Sequence, residues 1–115
     1  MATPQEITDF LKKFKHVLSV DITFIPRRDN VATIAYLGIT IAYVKTILSQ
    51  LTYKDYIRGP LSDKDKHGNM LWEFGTHIQG EDIYIKLSDD FNFNKAKCIS
   101  FHIATYSLVY PYKKN

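Results

Sequence analysis

The stretch Met70-Leu71-Trp72-Glu73-Phe74-Gly75-Thr76-His77-Ile78-Gln79-Gly80-Glu81-Asp82-Ile83-Tyr84-Ile85-Lys86-Leu87 decides the fold. Its apolar residues recur at every second position on either side of Gln79-Gly80. Alternation of period two is the mark of a strand with one face buried. Two such runs around a short glycine-containing turn read as a β-hairpin, with strands expected over 70–78 and 82–87. A third run, over 97–105, repeats the alternation.

Side chains emerge on alternate faces of a strand. One face then holds Met70, Trp72, Phe74 and Ile78, followed by Ile83, Ile85 and Leu87, and by Ile99, Phe101 and Ile103. The other holds Glu73 and His77, Tyr84 and Lys86, and Cys98, Ser100 and His102. With Gln79-Gly80 as a two-residue loop, Glu73 stands opposite Lys86 and Gly75 opposite Tyr84. Other turn types shift that register. The face assignment is firmer, because a one-residue slip buries Lys86 and exposes Trp72 or Phe74.

Upstream of the hairpin the period changes to that of a helix. Thr3-Pro4-Gln5-Glu6 supplies a capping threonine, a proline at the first helical position and a glutamate three residues after the cap. Ile7, Phe10, Leu11, Phe14, Val17 and Leu18 follow at helical spacing. Residues 20–25 alternate up to Pro26 and predict a short strand with Val20, Ile22 and Phe24 on its apolar face. A short helix is expected over 29–37, ended by Gly38. A third is capped by Thr40 and carries Ile41, Val44, Ile47, Leu48 and Leu51. Residues 53–58 are expected to add a helical turn that Gly59-Pro60 stops. Residues 61–69 read as a polar loop, and the tail from Tyr110 to Lys114 as an extended, edge-like segment. Helices followed by strands within one domain spanning 1–115 give an α+β class, with the N-terminal helices packed on one face of a small C-terminal antiparallel sheet.

The chain has 115 residues, 45% hydrophobic and 23% charged, which suits one domain with its own core. Fifteen Lys and Arg against twelve Asp and Glu give +3, a basic bias that permits an anionic partner without demanding one. The single cysteine, Cys98, has no internal disulfide partner and fits a reducing compartment. No apolar run reaches the ~18 residues of a membrane span, and the N-terminus lacks a signal-peptide pattern. A cytoplasmic protein that does not engage membranes is the expectation.

The polar sheet face gathers a carboxylate, a phenol, an ammonium and an imidazole, with Arg58 nearby. A wet face on an antiparallel sheet needs no function, and Glu73 with Lys86 can be an ordinary cross-strand pair. The same set also suffices for phosphodiester chemistry without a metal or cofactor. Cleaving RNA through its own 2′-OH needs a base for that hydroxyl, an acid for the departing 5′-oxygen and cations for the phosphorane. Glu73 fits the base and His102 the acid. Lys86 and Arg58 fit the phosphate oxygens, and Tyr84 can donate a hydrogen bond or stack on a base. Arg27, Arg28 and His77 are further candidates for holding RNA.

These residues lie in a pattern that resembles the MqsR-type toxins of bacterial type II toxin–antitoxin systems: Leu37-Gly38-Ile39-Thr40, Asp55-Tyr56-Ile57-Arg58-Gly59-Pro60, Trp72-Glu73-Phe74-Gly75, Ile83-Tyr84-Ile85-Lys86-Leu87 and Ile99-Ser100-Phe101-His102. The resemblance implies a RelE-like fold, endoribonuclease activity on mRNA and neutralisation by a cognate antitoxin, and it leaves open whether the ribosome is a further partner. It puts the family's site residues on Arg58, Glu73, Tyr84 and His102. At three of these the chain departs from the pattern: Arg58 replaces lysine, Glu73 replaces glutamine and His102 replaces lysine. The rival expectation, from a different class, is a non-catalytic module that binds RNA or protein with the same face. A toxin-like scaffold that has lost activity is a further one.

Other constellations are weaker. Asp63, Asp65, His67 and Gly68 start like a calcium loop, but His67 and Phe74 break its pattern. Ser100 and His102 lie ~6.6 Å apart along a strand, too far for a nucleophile–base pair, and Cys98 and His102 ~13 Å apart. The four histidines lack zinc-site spacing.

Overall fold

A computed structural model describes residues 1–64 and 68–113. Three helices, α1 (Pro4–Leu18), α2 (Arg28–Leu37) and α3 (Ile41–Ser49), precede most of a five-stranded sheet. The strands are β1 (Ile22–Phe24), β2 (Tyr56–Ser62), β3 (Met70–Ile78), β4 (Glu81–Ser88) and β5 (Ala96–Ile103), in the order β1-β5-β4-β3-β2. The class is α+β, as the helical and alternating periods require. The sheet is larger than the three strands expected and is mixed, because β1 runs parallel to β5 while every other pair is antiparallel.

The helix ends follow from local chemistry. Thr3 Oγ1 accepts from the Glu6 amide at 3.1 Å, while the Glu6 carboxylate accepts from the Thr3 amide at 2.9 Å. Two of the unpaired donors that every helix start exposes are thus satisfied reciprocally. Thr40 Oγ1 accepts from the Tyr43 amide at the start of α3. Gly38 ends α2 at φ 67°, where a side chain would be disfavoured.

One face of the sheet carries the core. Trp72, Phe74, Ile78, Ile83, Ile85, Leu87 and Phe101 pack beneath Ile7, Phe10, Phe14, Val44 and Leu48. Phe10 lies flat on Trp72, with centroids 4.5 Å apart and planes 8° apart. Each such side chain contributes about 1.5–3 kcal/mol on burial, so the face of each strand is set by packing.

Four local expectations are corrected. Residues 53–55 make a single 3₁₀ turn, but 56–58 belong to β2. Buried Tyr56 pairs with Phe74 and Arg58 with Glu73, so pairing with the hairpin overrides the helical tendency. Leu61 and Ser62 are likewise in β2 rather than a loop, and residues 65–67 of the calcium-like segment lie outside the described residues. Val20 is exposed and precedes β1. From Tyr110 to Lys113 the tail is not an edge strand, and Lys114 lies outside the described residues. Leu108 and Tyr110 lie over Gly75 on the polar face, and Tyr112 reaches the core side, where its hydroxyl donates to the Ala2 carbonyl at 2.6 Å.

The fifth strand holds a further correction. Lys86 pairs with Ser100, but Leu87 pairs with Cys98, so Ile99 is an extra residue in a β-bulge. Parity reverses there. Cys98 turns into the core, and Ile99 turns to the polar side. Two side chains of α2 hold this geometry. Once β1 ends, Asn30 donates to the carbonyls of Ile25 and Ile99, both at 2.9 Å, and accepts from the Phe101 amide at 3.0 Å. Thr33 accepts from the Ile103 amide at 3.1 Å. Both are buried, and they complete the β5 edge as a neighbouring strand would.

Candidate functional site

The hairpin register is that of a Gln79-Gly80 loop: Glu73 opposes Lys86, and Gly75 opposes Tyr84. On the next strand Lys86 opposes Ser100, and Tyr84 opposes His102. Glu73, Lys86, Tyr84 and His102 therefore share one face in two adjacent rows. Glu73 and His102 sit on a diagonal, roughly 12 Å apart at Cβ from the strand spacing and rise.

Glu73 is 2% exposed. It accepts a 2.8 Å hydrogen bond from Arg58 Nε, whose side chain remains 63% exposed. The carboxylate holds the guanidinium pKa above its ordinary value, first through that hydrogen bond and then through its charge. Tyr84 is held well above the usual phenol range, first by burial, then by hydrogen bonding to and the charge of Glu73. It remains a protonated donor throughout the neutral range. His102 Nδ1 lies 3.0 Å from the Ile103 carbonyl. A carbonyl only accepts, so Nδ1 carries the proton and Nε2 is the nitrogen available to a partner. The ring centroids of His102 and Tyr84 are 5.4 Å apart.

A cleft of about 690 Å³ opens beside this row. Arg27, Arg58, Lys64, Lys86 and Lys97 line it together with Glu73. Asp63 is also on its wall, and Ile25, Leu71 and Ile99 supply apolar surface. Ile99 is available there only because of the bulge. Cations on one concave wall concentrate anions.

Of the residues singled out from sequence, Arg58, Glu73, Lys86 and Arg27 meet at the cleft, and Tyr84 and His102 flank it. Arg28 is exposed at the start of α2 and does not line the cleft. His77 pairs with Asp82 at 2.9 Å near the other end of β3, and Leu108 and Tyr110 stand over the intervening Gly75. Cys98 is fully buried, and its thiol is pushed up to about 12 by desolvation.

Three contributors were missed. Lys64 and Lys97 carry no local signal beyond charge. Tyr106, in the tail, lies 6.4 Å from Tyr84 between ring centroids. Only the return of the tail across the sheet brings it there. Among the described residues no cluster of three His, Cys, Asp or Glu side chains is arranged to hold a metal ion. No single helix among them is long and apolar enough to cross a membrane.

No family model, curated protein or solved structure matches this chain.

Proposed function

We propose that this protein is a metal-independent endoribonuclease, an mRNA interferase of the MqsR type, acting in the cytoplasm and held in check by a cognate antitoxin protein. The observation that carries the reading is the register that sets Glu73, Lys86, Tyr84 and His102 on one face, in two adjacent rows bordering a cation-lined cleft. A phosphodiester needs that combination and little else.

In this reading the Arg58–Glu73 pair is the resting state. A substrate phosphate competes for the exposed guanidinium and releases the carboxylate. Glu73 takes the 2′-OH proton as the 2′-oxygen bonds to phosphorus. Lys86 and Arg58 neutralise the phosphorane oxygens, and Tyr84 donates a hydrogen bond. The bond from phosphorus to the 5′-oxygen then breaks, and His102 gives that oxygen a proton. The products are a 2′,3′-cyclic phosphate and a 5′-hydroxyl.

A binding module is the second reading, and the burial of Glu73 favours it. The two separate on incubation of the purified protein with single-stranded RNA in EDTA, followed by end-group analysis. Cyclic phosphate ends that disappear in Glu73→Ala and His102→Ala support the enzyme. Retention of RNA without new ends supports the module.

A further inference from the structure

The cleft does not stop at the candidate site. Lys97 lines it and also lines a second groove of about 200 Å³, together with Thr23, Asp90, Asn92, Phe93 and Lys95. The two concavities therefore share one lysine side chain on β5. Phe93, which lines the second groove, is 92% exposed. Phe93 also has left-handed backbone angles, φ 62° and ψ 22°, a conformation in which bulky residues are outliers. An aromatic ring held in water on a disfavoured backbone gains nothing from the core.

We propose that this groove is a second subsite for single-stranded RNA, in which Lys95 and Lys97 hold backbone phosphates and Phe93 stacks on an unpaired base. Aromatic side chains interleaved with cations are how proteins hold single strands without reading their sequence, because every base has a π-face. Helical RNA keeps its bases stacked and hides them from Phe93, so the subsite selects unpaired RNA. The identity of the polyanion rests on the endoribonuclease reading; the track itself rests on the lysine that lines both grooves.

The test uses the full-length protein and fluorescent 2′-O-methyl RNA, which lacks the attacking hydroxyl, so binding is read without cleavage. An oligomer of about eight nucleotides should bind more tightly than a dinucleotide. Phe93→Ala should lose roughly ten-fold in affinity for the longer probe and almost nothing for the dinucleotide, while Phe93→Trp retains affinity. Phe93→Asn suits the left-handed backbone, so it should melt at the wild-type temperature or above and still lose the affinity. A structural role predicts the opposite pairing. Lys95→Ala should reduce the salt dependence of binding by about 0.7 in log–log slope. Equal affinity of both lengths, or of wild type and Phe93→Ala for the longer probe, overturns the subsite. Length- and Phe93-dependent binding in a protein that leaves all-ribose RNA intact preserves the subsite and removes the nuclease.

Discussion

The two ends of the polar sheet face differ sharply. At the Glu73–Lys86 end the strands open into a cleft lined by five basic side chains. At the Gly75–His77 end the same strands are covered by the returning tail, and His77 is taken up by Asp82. Alternation treats both ends alike, since Glu73 and His77 have the same parity. What separates them is the missing side chain at Gly75. A Cβ there would stand 2.5 Å from Tyr110 Oη and 2.8 Å from Leu108 Cδ1. The glycine lets the tail lie down over β3, in the row that continues through Tyr84 and His102, one step from the open Glu73–Lys86 row.

The contrast predicts unequal responses to substitution. The largest effect is expected at the proposed base and acid, Glu73 at the open end and His102 in the next row. Glu73→Ala or His102→Ala should lower RNA cleavage by about 10²–10⁴-fold, the usual worth of a positioned base or acid, whereas His77→Ala should leave the rate within about two-fold. Initial rates on one single-stranded substrate decide it, and equal losses at His77 and Glu73 erase the distinction between the ends.

The next effect concerns what shapes the cleft. Asn30→Ala orphans the Ile99 carbonyl and the Phe101 amide at the bulge and leaves the Ile25 carbonyl with the Arg27 amide alone. It should cost about 2–4 kcal/mol in urea denaturation, from a net of roughly 1 kcal/mol per hydrogen bond and the penalty for burying unpaired groups. A cost below half of that range means the bulge stands without α2.

At the closed end, Gly75→Ala should cost about 1–3 kcal/mol, the usual penalty of overpacking, with faster proteolysis of the tail. A neutral result shows that the tail yields easily and that the closure is weak.

The smallest effect is electrostatic. The folded-state pKa of Tyr84 is raised above its unfolded value of about 10. Its stabilising contribution is therefore complete below pH ~10 and declines as the pH rises beyond that point. Tyr84→Phe should flatten this alkaline decline. Cys98, raised to about 12, should preserve an earlier decline beginning near pH ~8.5. Thermal melts between about pH 8 and 11 check both signs. A Tyr84→Phe curve parallel to wild type removes the phenol as the cause.

Much of the architecture was legible locally. The capped start of α1, the stop at Gly38, the Gln79-Gly80 hairpin and its register all follow from rules that act within a few residues. So does the shared face of Glu73, Lys86, Tyr84 and His102, because burial of Trp72, Phe74 and Phe101 settles the opposite face. The segment from Tyr56 to Ser62 was misread because its strand character comes from a distant partner, β3.

By itself, then, the sequence determined the helices, the hairpin and the set of polar side chains on one face, since periodic burial and local capping depend on near neighbours. Tertiary structure alone decided the fifth-strand bulge that exchanges Cys98 for Ile99, the gathering of Arg27, Lys64 and Lys97 around Glu73, and the arrival of Tyr106. Those outcomes depend on hydrogen bonds and contacts between residues far apart in the chain. Asn30 with Phe101 is the clearest case: no local periodicity foretells that a helix side chain will finish a strand seventy-one positions away.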